Sequence, residues 1–150
     1  MPTKDTPPGL DDVTVIIVTY DSAHCIAALA DALGALPHVT VVDNASRDGT
    51  PAEVARLMPH ARLIINPANA GFGAANNLGL DTASTPYALL LNPDCLISPD
   101  SIARLVETAN ELPNAVVVAP QLLDGQGTPQ LNYGWPRHVW TSRGAGADGP

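Results

Sequence analysis

Four short stretches of this chain carry residue types whose spacing allows chemistry. Tyr20-Asp21 closes the β-rich run Val13-Thr-Val-Ile-Ile-Val-Thr19, and Asp43-Asn44 closes Val39-Thr-Val-Val42. Asn66-Pro-Ala-Asn-Ala-Gly-Phe-Gly-Ala-Ala-Asn76 is rich in glycine and asparagine, and Leu89-Leu-Leu is followed by Asn92-Pro-Asp94. A carboxylate at Asp43 can accept the imide N–H of a pyrimidine base. Gly71 and Gly73 let backbone approach a ligand, and the helix they open aims its first N–H groups at an anion. Asp94, at the exit of a buried strand, is placed to hold a divalent cation bridging two phosphates, since Mg²⁺ in such sites needs only one or two protein carboxylates. Together the stretches point to a nucleotide site. Each alone has a plainer explanation: Asx side chains cap turns, Asn-Pro-Asp is a turn signal, and a glycine-rich helix entry is usually only a turn.

The elements that must position these residues follow from periodicity. Apolar runs at 13–19, 39–42, 62–65, 87–91 and 115–119 read as five strands, the continuous run 13–19 being of the kind buried on both faces of a parallel sheet. Between them, Ile26, Leu29, Ala30, Leu33 and Leu36 recur at helical spacing, with Asp21 or Ser22 as cap and Pro37 as stop. Thr50-Pro-Ala-Glu53 reads as a capping box opening a helix to about Met58. A helix is expected over 71–81, and Ser98-Pro99-Asp100 caps another running to about Glu111. Alternating strands and helices imply a wound α/β sheet with right-handed crossovers. Residues 1–12 read as a flexible arm, 121–134 as an irregular segment or hairpin, and 135–150 as a loose tail.

Composition narrows the function classes. At 150 residues, 45% hydrophobic and 15% charged, the chain fits one globular domain. The net charge of −8, with Lys4 the sole lysine, argues against a nucleic-acid surface. Cys25 and Cys95 form no CxxC pair, so neither a zinc framework nor a disulfide scaffold is indicated. His24, His38, His60 and His138 are scattered, with helix-face or surface roles expected. No signal-peptide pattern and no apolar run of membrane-spanning length is present, so a cytoplasmic location is expected, with attachment to a membrane surface through a partner left open. P-loop, zincin and hydrolase-elbow motifs are absent. Gly71-Phe-Gly-Ala-Ala-Asn76 approaches the GxGxxG fingerprint, but it follows the third strand and has Asn in place of the last glycine.

Taken in order, the motifs over Val13 to Leu131 resemble glycosyltransferase family 2, which has the GT-A fold, and within it the bacterial rhamnosyltransferase-like members that build cell-wall and surface polysaccharides. The resemblance implies inverting transfer from a nucleoside-diphosphate sugar, dTDP- or UDP-linked, assisted by Mg²⁺ or Mn²⁺. It implies that Thr19, Tyr20 and Asp21 line the nucleoside pocket and that Asp43 meets the base. Asn69, Gly71, Phe72 and Asn76 would flank the nucleotide-sugar. Asn92-Pro-Asp94 takes the place of the family's DxD motif, with Asp94 as the metal carboxylate.

In the family a second half supplies the acceptor site and the general base. No matching segment is found here, and the tail offers only Asp148. The expectation is therefore a truncated donor-binding half, with Trp135 and Trp140 left from a face toward the absent part, or a partner chain that completes it. A non-catalytic nucleotide-binding fragment or subunit is the alternative. A nucleotidyltransferase ranks last, because Tyr20-Asp-Ser-Ala-His24 lacks the glycine-rich, basic loop that reaction needs.

Overall fold

Seven consecutive residues of β1 (Val13–Thr19) are buried, which requires neighbours on both edges and cover on both faces. A computed structural model describing residues 9–112 and 114–130 supplies both. Strands β2 (Val39–Asp43), β3 (Arg62–Ile65) and β4 (Tyr87–Leu91) join β1 in a four-stranded sheet of order β3-β2-β1-β4. All pairs are parallel, with Val15 opposite Val39, Val41 opposite Leu63 and Val13 opposite Tyr87. The chain winds outward from β1 through β2 to β3, then returns to β1's other side for β4. That reversal creates a crevice beyond the carboxyl ends of β1 and β4, where open α/β sheets bind ligands.

Strand alternation divides the burial. Val13, Val15 and Ile17 of β1, with Val39 and Val41, face the larger core, which also holds Ile26, Leu29 and Leu33 of α1 (Ala23–Leu33). Val54 of α2 (Thr50–Leu57) and Ile102 and Val106 of α4 (Pro99–Glu111) complete that core. Fully burying one such side chain stabilises by roughly 1.5–3 kcal/mol. The opposite face packs Val18 and Val42 against Ala75 of α3 (Phe72–Leu80), with Ile64 and Leu78 alongside. Here α3 comes close: a Cβ on Gly79 would collide with Ile16 and touch Val42.

Ser98 caps α4 as expected, accepting the Ser101 N–H at 3.2 Å. Other boundaries differ from the sequence expectation. Helix α1 stops at Gly34 (φ 57°), whose N–H donates to Ala30 O, so Leu36 is buried outside the helix and Pro37 is not the stop. The capping box on Thr50 does not form. Gly49 (φ 87°) is the cap residue, Thr50 begins the helix, and Glu53 pairs with Arg56 at 2.6 Å. The expected strand at 115–119 is not a strand: Val116 and Val117 are 97% and 81% exposed. β-Branched composition alone cannot make a strand without a ladder partner.

Ordered structure also begins earlier than Val13. Leu10–Asp12 forms a 3-10 turn with Leu10 buried, and Gly9 lies against Val106. The described residues divide into two units, one through Val118 and one from Ala119. In the second, Leu123 bridges Pro129 antiparallel across a turn at Asp124–Gly127, the hairpin expected there. Asp124 accepts the N–H groups of Thr128 and Gln126, which hold its carboxyl below the usual carboxylate range. Residues 1–8 and 131–150, including Trp135, Trp140 and Asp148, lie outside the described residues.

Candidate functional site

Parity decides where the polar strand ends point. Thr19 and Asp43 continue the odd-numbered positions of β1 and β2 and are buried; Tyr20 and Asn44 continue the even-numbered ones, with Val18 and Val42. Asp43 is 0% exposed. Its Oδ1 accepts from Thr19 Oγ1 at 3.0 Å and from Ser46 Oγ, and its Oδ2 accepts the Ser46 N–H at 2.9 Å. Ser46 Oγ in turn accepts the Asp21 N–H at 2.9 Å. Asp21 sits in the left-handed region (φ 49°), which a short polar side chain tolerates, and its Oδ1 accepts the Arg47 N–H at 2.7 Å. The loops after β1 and β2 are thereby joined across their width.

Asp48, which the sequence did not single out, anchors two helices. It accepts from Ala23 N–H at the start of α1 and from both the N–H and hydroxyl of Thr50 at the start of α2. Carboxylates are favoured at helix N-termini by the orphan N–H groups there. The Thr50 hydroxyl first, then the Ala23 N–H, holds the Asp48 carboxyl below the usual aspartate range. A carboxyl depressed in the folded chain adds stability above its unfolded pKa, and that contribution drains away as pH falls through the folded value. Acid urea titrations should therefore show native stability falling below the ordinary aspartate range, and Asp48→Asn should flatten that limb.

Asparagines shape the opposite rim. Asn44, 2% exposed, accepts at Oδ1 from Asn66 Nδ2 (3.1 Å) and Ala70 N–H (3.0 Å), and its Nδ2 donates to Asn69 Oδ1 at 2.8 Å. Asn69 Oδ1 also accepts the Gly71 N–H at 2.9 Å. Gly71 takes φ 85°, ψ 159°, a backbone state that favours glycine.

At the crevice lies a cleft of about 430 Å³, within the size range of small-molecule sites. Tyr20, Asp21, Asn69, Phe72, Asn92 and Asp94 line it, so six of the expected residues converge. Thr19, Asp43 and Asn76 do not line it. Asn76 is buried in α3, its Nδ2 donating to Phe72 O, and Gly71 lies outside the lining. His24 and Cys25 line it unexpectedly, brought in because α1 starts directly behind Asp21. Burial and, after it, nearby Asp94 push the Cys25 thiol up; Cys95, whose Sγ donates to Asp94 Oδ1 at 3.8 Å, is raised for the same reasons. The lining holds two carboxylates and neither Lys nor Arg. An anionic ligand there must be met by N–H donors or through a cation.

The model for glycosyl transferase family 2 matches residues 14–149. The chain belongs to glycosyltransferase family 2. Among curated members, this family 2 chain is 38% identical over 112 residues to the succinoglycan biosynthesis protein ExoO of Rhizobium meliloti, covering 69% of this chain and 32% of that one. It is 29% identical over 164 aligned positions to an N-acetylglucosaminyl-diphospho-decaprenol L-rhamnosyltransferase of Mycobacterium tuberculosis, covering 88% and 53%. It thus spans about a third to a half of the length of these relatives.

Among solved structures, the mannosyltransferase PcManGT from Pyrobaculum calidifontis, in complex with GDP-Man and Mn²⁺, superposes with TM-score 0.60 at 30% identity over 65% of this chain and 32% of that one. Staphylococcus aureus TarS 1–349 in complex with UDP-GlcNAc gives TM-score 0.60 at 22% identity, covering 75% and 38%, a likeness of fold alone. The sheet flanked by helices is the GT-A fold of such enzymes. No helix among the described residues is long and apolar enough to cross a membrane.

Proposed function

We propose that this family 2 chain is the donor-binding part of an inverting glycosyltransferase that uses a nucleoside-diphosphate sugar, dTDP- or UDP-linked, in polysaccharide or cell-wall synthesis. The observation that carries the reading is the cleft at the β1/β4 crevice, where Tyr20 and Asp21 face Asn92 and Asp94. In this reading Tyr20 and Asp21 border the nucleoside, Asn69 and Phe72 flank the donor, and Thr19 and Asp43 act from behind by holding the strand ends together.

The donor set suits a shared cation. No group of three or more His, Cys, Asp or Glu side chains that could hold an ion by itself is gathered among the described residues. Asp94, with Asn92 beside it, supplies one exposed carboxylate, and Mg²⁺ or Mn²⁺ takes its remaining ligands from phosphates and water in sites of this kind. Held there, such an ion would supply positive charge to offset the negative charge growing on the diphosphate leaving group. The acceptor site and general base belong, in this reading, to a further half or partner chain, whose base takes the acceptor hydroxyl proton as the sugar is attacked.

The test is thermal shift with UDP, dTDP and GDP, each with and without Mn²⁺, on the native chain and Asp94→Ala. Ligand that binds only the folded state raises the midpoint by mass action. A Mn²⁺-dependent rise with a pyrimidine diphosphate, lost in Asp94→Ala, is expected. No rise with any nucleotide would overturn the reading, and a rise with GDP alone would overturn the choice of base.

A further inference from the structure

The side-chain amide of Asn69 has its orientation dictated from the main chain outward. A backbone N–H can only donate, so the Asn44 atom that receives Ala70 N–H must be its oxygen. The other end of Asn44, its NH₂, then points at Asn69 across 2.8 Å. Gly71 N–H reaches the same Asn69 atom at 2.9 Å. Two donors converge on that atom, one of them main chain, and it is therefore the carbonyl oxygen. What remains of Asn69 is its NH₂, which has no partner among the described residues, on a side chain that lines the cleft.

An asparagine on a free loop can offer a ligand either its donor or its acceptor end. This one, tied through Asn44 and the backbone of Ala70 and Gly71, offers donors only. We infer that Asn69 is a specificity-determining residue: it requires a hydrogen-bond-accepting oxygen on the ligand at that point of the cleft. The inference rests on the nucleotide-sugar reading and deepens it. The accepting oxygen belongs to the nucleoside or to the diphosphate, and the two sources are separable by experiment.

Asn69→Asp tests it with little disturbance of the loop. A carboxylate oxygen still accepts from Gly71 N–H and Asn44 Nδ2, but the atom facing the ligand changes from donor to anionic acceptor. Asn69→Ala removes both functions. Asn77→Asp places the same charge on exposed α3 outside the lining, as a control for charge alone.

The expected result is an Asn69→Asp midpoint close to native, above that of Asn69→Ala. Its affinity for UDP or dTDP with Mn²⁺ should fall about ten- to a hundredfold, as reversing a hydrogen bond beside a charged ligand should do, while Asn77→Asp stays within about twofold. Titrating nucleoside, monophosphate and diphosphate locates the oxygen: a loss already present with the nucleoside places it there, and a loss that first appears with phosphate places it on the diphosphate. Native-like diphosphate binding by Asn69→Asp would overturn the inference while leaving the donor-site reading intact. So would a midpoint as low as that of Asn69→Ala, or an equal loss in Asn77→Asp. Failure of the native chain to bind any of these ligands would overturn both readings.

Discussion

Asp43→Ala should lower the thermal midpoint by on the order of 10 °C, whether or not ligand is present. The carboxylate is wholly buried and receives the Thr19 hydroxyl, the Ser46 hydroxyl and the Ser46 N–H. Its removal strands those donors away from water, and leaving buried donors beneath a lost charged acceptor costs about 3 kcal/mol. The damage spreads, because Ser46 also holds the Asp21 N–H and so fixes the β1 exit. Asp43→Asn should be milder, since the amide oxygen can take the Ser46 N–H while its NH₂ donates to the Thr19 and Ser46 hydroxyls, which accept as well as donate. The competing role, direct contact with the base, predicts something different: nucleotide binding lost with the midpoint unchanged. Differential scanning calorimetry beside nucleotide titration separates the two. An unchanged midpoint in Asp43→Ala would defeat the structural assignment.

Gly79→Ala and Gly73→Ala, the same substitution on the same helix, should have opposite signs. Both gain helix propensity, worth about 0.8–1 kcal/mol. At Gly73 nothing lies within 4 Å of the added methyl, so the gain stands and the protein should be stabilised. At Gly79 the methyl meets Ile16, a fully buried β-branched residue of the central strand, and Val42 behind it. Neither can swing aside, and overpacking at such a contact costs at the upper end of roughly 1–3 kcal/mol. A net loss of about 2 kcal/mol is expected at Gly79. Urea denaturation of both variants checks it; a Gly79→Ala midpoint at or above native would mean that α3 does not press on the sheet as described.

Much of this architecture was legible in the residues. The run at 13–19 is apolar throughout because a central parallel strand is covered on both faces, whereas in 87–91 Ala88 and Leu90 stay exposed, and Ser98 signals its helix because the cap interaction is local. Orientation was harder to read. Thr19 and Asp43 look as ligand-ready as Tyr20 and Asn44, yet one step of alternation sends the first pair into the core and the second to the cleft. That parity is readable only once it is known which face carries α3. Asp48 was passed over because its partner Ala23 lies 25 positions away, and no local pattern announces a carboxylate shared by two helices. The run 115–119 misled because composition reports the capacity for a strand but not whether an edge is there to receive it.

The order of strands across the sheet has a consequence for how the chain is made. Synthesis delivers β1 first and β2 soon after, but β4, which completes β1's other edge, comes far later; Thr14 and Thr85, hydrogen-bonded across that junction, are 71 positions apart. At roughly 5–20 residues per second, the most apolar strand of the molecule spends several seconds outside the ribosome with one flank unpaired. Ribosome-bound chains arrested before residue 87 should accordingly be the ones that recruit holdase chaperones, and release from them should coincide with the emergence of Leu91.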